Sequence, residues 1–136
     1  SNGFKNVRDF ISPQSISMNI AKINLILHGN YNADYCWSNR IHLIIGSSGF
    51  ALVEKIKGLD KFYKNNEHCI FFNPGDLNKS LKYWLDTKQD EAREKIRISG
   101  FNQAHNNNSY NIKTSLFIKT ITQFSKNEKK HINYTP

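Results

Sequence analysis

Apolar positions in this chain come in short, dense runs divided by Asn-, Ser- and Gly-rich breaks. Residues 22–28, KINLILH, carry Ile23, Leu25, Ile26 and Leu27 almost without a gap, the pattern of a strand covered on both faces. Two similar runs follow, FALV at 50–53 and HCIFFN at 68–73. Between the first two, Ile41, Ile44 and Ile45 recur at helical spacing and predict a helix over 38–46 that turns one stripe toward the sheet. Ser47, Ser48 and Gly49 then return the chain to the second strand, and a loop enters a second short helix near Gly58. Ahead of the first strand, Ser12 and Pro13 mark the start of a helix over 13–21.

The rest of the chain reads as helical. Asn73-Pro74-Gly75-Asp76 forms a turn that ends in an aspartate cap, after which Leu77, Leu81, Trp84 and Leu85 fall on one helix face. A helix over 90–104 has acidic residues in its first turn and Ala92, Ile96 and Gly100 on one stripe, and a last helix carries Ile112, Phe117, Ile121 and Phe124. Residues 126–136 form a polar tail. The order β-α-β-α-β followed by three helices predicts an α/β fold: a Rossmann-like small parallel sheet with helices on both faces and a C-terminal helical cap.

A parallel sheet places ligands at the carboxyl ends of its strands. His28 ends the first strand there, followed by the polar loop 29–35, and Glu54 and Lys55 end the second. Ser38 reads as an N-cap, with Asn39 and Arg40 in the first turn, where free N–H groups and the positive end of the helix dipole favour an anion. A guanidinium fork matches phosphate oxygens, so phosphate is the natural guest. The candidate binding residues are Arg40, Ser38, Asn39, His28, Gly49, Glu54 and Lys55. Each also has an ordinary alternative: Arg40 as a surface residue, His28 as a half-buried strand-end side chain, Gly49 as a turn residue alone, Glu54 and Lys55 as a solvated pair. Leu43 lies one turn along from Arg40, with Ser47 beyond it, and offers only packing. No His, Cys, Asp or Glu set has metal-ligand spacing.

The run SNRIHLIIGSSGF, with the later KGLDKFY, resembles the donor-side signature of the CgeB-like, group-1-related glycosyltransferases. Arg40 matches the family arginine, Gly49 and Phe50 the end of the turn and the start of the strand, and Gly58 with Leu59 the helix-entry pair. Asp76 to Asp86 is similar to a later family segment, and Asn108, Ser109, Tyr110 and Lys113 fall on its last element. Leu43 stands where the family carries the acidic residue expected to hold the donor ribose, and His42 where it carries an aromatic. The resemblance implies the C-terminal, donor-binding half of a GT-B enzyme, chemistry without a metal or other cofactor, and a nucleotide-diphosphate sugar as the donor. It also implies that the acceptor and any general base come from an N-terminal domain outside this chain.

The chain has 136 residues, enough for one domain and about half of such a two-domain enzyme. Residues 4–125 form the expected domain, and residues 1–3 resemble a cloning remnant. A net charge of +8 suits an anionic partner, but no basic run interleaves with aromatics as a nucleic-acid platform requires. Cys36 and Cys69 have no CxxC partner, no stretch is long and apolar enough to span a bilayer, and no signal peptide is evident, so a cytoplasmic protein is expected. The leading function is nucleotide-sugar binding for glycosyl transfer, with the isolated domain inactive. The alternative is a noncatalytic relative that lost the ribose-binding acid at Leu43. A flavodoxin- or receiver-like module lacks support from a strand-end acidic cluster, and a nucleic-acid binder would rest on charge alone.

Overall fold

This computed structural model describes residues 13–28 and 36–131. The Ser12 helix start, the loop 29–35 and the remnant at 1–3 lie outside the described residues. Three strands, β1 (Asn24–Ile26), β2 (Ala51–Glu54) and β3 (Ile70–Phe72), form a parallel sheet in the order β1-β2-β3. The register pairs Leu25 with Leu52 and Val53 with Phe71. Helix α1 (Pro13–Ile20) precedes β1, and α2 (Arg40–Gly46) connects β1 to β2. The short helix expected near Gly58 is a single 3₁₀ turn, Leu59–Lys61, entered through Gly58 at φ 94°, which glycine adopts without a side-chain clash. Helices α3 (Leu77–Leu85), α4 (Asp90–Asn107) and α5 (Tyr110–His131) complete the chain.

Alternation along the strands divides the core into two layers. Ile26, Ala51, Val53 and Cys69 pack with Ile41, Ile44 and Ile45 of α2 and with Leu59 and Tyr63. Phe50, Leu52, Ile70 and Phe72 meet Ile96 of α4 and Leu77, Leu81 and Trp84 of α3 on the other face. Helix α4 joins the layers, since Ile96 belongs to one and Ala104 to the other. It comes close because Gly100 has no side chain: a Cβ there would run into the His68 carbonyl oxygen. Buried Arg93 bonds the carbonyls of Trp84 and Asp86 and the carboxylate of Asp90, which satisfies the C-terminal end of α3.

One expectation needs correction. The first strand is not covered on both faces. Its ladder is three residues long, and Leu25 and Leu27 are 41% and 56% exposed, because β1 is an edge strand and α3 lies over β2 and β3. The C-terminal helical segment is present as expected, with α5 following α4. Every residue from Asn111 to Ser125 is exposed, and α5 runs on to His131, into the segment read as a polar tail.

Candidate functional site

Helix α2 starts beside the carboxyl end of β1, and its local geometry follows from the residues before it. Ser38 Oγ accepts the Arg40 N–H at 3.2 Å, and the Ser38 carbonyl accepts the Ile41 N–H at 3.3 Å. Asn39 is the helix N-cap but already has helical dihedrals and makes no side-chain cap bond, so Ser38 supplies the capping oxygen from one position earlier. Ser38, Arg40, Trp37 and His28 line a cavity of about 310 Å³ together with Ile26.

The backbone N–H of His28 donates to Glu54 Oε2 at 2.8 Å, tying the end of β1 to the end of β2. The His28 ring is buried, and its Nε2 has no partner among the described residues. Burial holds its pKa below 6.5, with Glu54 pulling the other way. This edge of the sheet therefore offers a guanidinium, a hydroxyl, an imidazole and a carboxylate.

The other candidates sit elsewhere. Lys55 faces a separate cavity of about 660 Å³ at the ends of β2 and β3, with Lys57, Phe71 and Asn73. Gly49 lines none of these cavities. A Cβ there would stand 2.7 Å from the Met18 carbonyl oxygen and 2.9 Å from Asn24 Nδ2, so the position is set by packing of α1 against the α2–β2 turn. Asn39, Leu43 and Ser47 share a third cavity, of about 620 Å³, bounded by Phe62, Tyr63, His105, Tyr110 and Lys113. Arg40 and Leu43 thus face different openings, although one helical turn separates them.

The sequence did not single out a set of side chains between these two openings. The Trp37 indole N–H donates to His42 Nε2 at 3.3 Å, and His42 Nδ1 lies 2.9 Å from the Tyr63 hydroxyl. Tyr63 is fully buried, and burial pushes its pKa up to about 12. The Phe62 ring meets Trp37 edge-on at 5.4 Å and lies 5.0 Å beneath Lys113 Nζ. The only hint in the sequence was the histidine at 42 in place of an aromatic.

A family model described as glycosyl transferase-like matches residues 4–116. The chain belongs to the glycosyl transferase-like family. No curated protein and no solved structure matches it. Among the described residues no group of three or more His, Cys, Asp or Glu is placed to hold a metal ion, and no helix is long and apolar enough to cross a membrane.

Proposed function

We propose that this chain is the donor-binding domain of a nucleotide-sugar-dependent glycosyltransferase of GT-B architecture, in the CgeB-like, group-1-related branch. One observation carries this: His28, Ser38 and Arg40 converge on a single opening where α2 starts beside the end of β1. The donor diphosphate lies against Arg40 and the Ser38 turn. The nucleoside reaches past Asn39 into the larger opening by Leu43 and Phe62, because about 310 Å³ is at the lower bound for a ligand pocket of roughly 300–1,000 Å³.

In the reaction the bond from the anomeric carbon to the diphosphate oxygen breaks and its electron pair leaves with the diphosphate. An acceptor oxygen bonds the anomeric carbon, and its proton passes to a base. Arg40 meets the charge growing on the leaving phosphates, a preorganised electrostatic contribution, and we assign no metal or cofactor to this step. We assign the acceptor and the base to a separate N-terminal domain, so the isolated chain binds donor without turnover. The basic charge serves the anionic donor and not a nucleic acid, and free Cys36 and Cys69 suit a cytoplasmic location.

Titration with UDP and GDP, read by tryptophan fluorescence, tests the assignment. Saturable binding is expected, and Arg40→Ala should weaken it by about tenfold or more, the scale of a charge-assisted hydrogen bond. Unchanged affinity in that variant would remove Arg40 from the site. A second reading, a noncatalytic relative, is favoured by Leu43, whose apolar side chain is 56% exposed in the larger opening. Absence of binding for every nucleotide tried would select it, and DNA binding that falls steeply with salt would overturn both.

A further inference from the structure

Trp37 forms a wall of the Arg40 opening, while His42 lines the larger opening. The 3.3 Å bond between them crosses from one to the other. An indole nitrogen can only donate, so His42 Nε2 must accept. The neutral ring then carries its proton on Nδ1 and donates it to the Tyr63 oxygen at 2.9 Å. The Tyr63 hydroxyl bonds the Asn108 side chain, and Asn108 Nδ2 also donates to the Phe62 carbonyl at 3.1 Å. A fully buried phenol therefore fixes the imidazole, and the imidazole fixes the indole.

We propose that His42 is a positioning residue: its neutral Nδ1–H tautomer holds the Trp37 indole as a wall of the Arg40 opening, so the donor site is assembled only while His42 is uncharged. This rests on the donor-site reading above. Protonation places a hydrogen on Nε2, where it points at the indole N–H; donor meets donor and the bond is lost. Among the groups around His42, Lys113 opposes that charge. Tyr63 is a neutral phenol, Lys113 of α5 is a cation, His105 of α4 shares the cavity, and no carboxylate among the described residues lines it. Burial, and secondarily Lys113, holds the His42 pKa below 6.5.

The test is a pH titration of the ¹⁵N-labelled indole resonances of the intact chain, with Trp84→Phe to assign them. The Trp37 resonance is expected to move with the His42 ring protons, at a midpoint below 6.5, while the Trp84 resonance stays in place. UDP affinity should fall through the same transition. In His42→Gln, whose amide can accept from the indole and donate to Tyr63, the affinity should hold across it, which also separates the effect from titration of UDP's own phosphate near pH ~6. His42→Phe, which keeps a ring but loses both bonds, should bind UDP about fivefold more weakly at neutral pH, one ordinary hydrogen bond. A Trp37 resonance that ignores the His42 transition would overturn the proposal, and this titration needs no variant to fold in place of the wild type. Equal pH profiles for wild type and His42→Gln would overturn it too. A Trp37 indole that follows His42 in a chain binding no nucleotide at any pH supports the anchor and overturns the donor-site reading instead.

Discussion

Glu54 Oε2 accepts the backbone N–H of His28 at 2.8 Å, and the bond spans the carboxyl ends of two neighbouring parallel strands. It extends the β1–β2 pairing past a ladder only three residues long, on an edge strand with one poorly covered face. A carboxylate accepting an N–H here fixes where the chain leaves β1 and where the His28 ring lies. Glu54→Ala should therefore destabilise the domain by about 1.5–3 kcal/mol, the range for hydrogen bonds to charged groups. Glu54→Gln, which keeps an acceptor oxygen, should cost clearly less. Urea unfolding of both variants checks this, and equal losses would show that the bond does not hold the strand end.

Four of the described glycines separate into two kinds by what surrounds them. Gly49 and Gly100 are where backbones approach closely: a Cβ on the first would press on Met18 and Asn24, and on the second into the His68 carbonyl. Gly46 and Gly75 have nothing within 4 Å of where a Cβ would stand, and no positive φ. Gly49→Ala and Gly100→Ala should each lose about 1–3 kcal/mol or more from overpacking against backbone that cannot yield. Gly46→Ala, at the last turn of α2, should be neutral or gain up to about 1 kcal/mol from helix propensity. Thermal melts of the four alanine variants would show two groups; a single cluster of melting temperatures would contradict this division.

Much of this architecture was legible in the chain because its signals are local. The Ile41, Ile44 and Ile45 stripe, the Asn73-Pro74-Gly75-Asp76 turn and the Leu77, Leu81, Trp84 spacing each specify one element, and each element appears where the pattern puts it, although the Asp76 carboxylate bonds Asn73 Nδ2 and makes no cap bond to α3. What periodicity could not supply was coverage. KINLILH reads as a two-sided strand, but which strands a helix covers depends on distant packing, and α3 lies over β2 and β3, which leaves Leu25 and Leu27 exposed. Likewise the apolar residues of α5 placed a helix there, but a stripe says nothing of whether a partner surface lies within reach, and these residues are exposed. At the candidate site, helical spacing placed Arg40 and Leu43 on one side, whereas the neighbours supplied by distant segments put them at two openings. The Trp37–His42–Tyr63 chain was invisible for the same reason: its second link spans 21 positions.

Leu43 lies in the larger opening with its side chain 56% exposed, so a carboxylate placed there remains hydrated and can be carried without unfolding the domain. If the nucleoside lies beside it, Leu43→Glu gives the ribose hydroxyls an anionic acceptor. UDP should then bind about tenfold more tightly, the worth of one hydrogen bond to a charged group, while 2′,3′-dideoxyuridine diphosphate gains nothing. Calorimetric titration with the two nucleotides measures the difference. Equal changes for both would place the ribose away from Leu43.

Three histidines connect stability to pH. Burial holds His28, His42 and His68 below their ordinary value of 6.5, with Lys113 adding to the effect at His42 and Lys64 at His68. Glu54 and Glu67 partly offset it at His28 and His68. The unfolded chain takes up protons near 6.5 that the folded chain refuses, so the unfolded state binds more protons in the window just below that value. The contribution of these groups is therefore fully present above 6.5 and is lost as pH falls through 6.5 toward the folded-state values. Each group can change the unfolding free energy by at most about 1.4 kcal/mol per pH unit. Urea midpoints should accordingly fall between about pH 7.5 and about pH 5, and His42→Gln should flatten the slope by one group's share. A midpoint that holds constant would mean that folding leaves the protonation of these rings unchanged, and one that rises would mean that the folded protein favours their charged form; either outcome would contradict the effect of burial on these histidines.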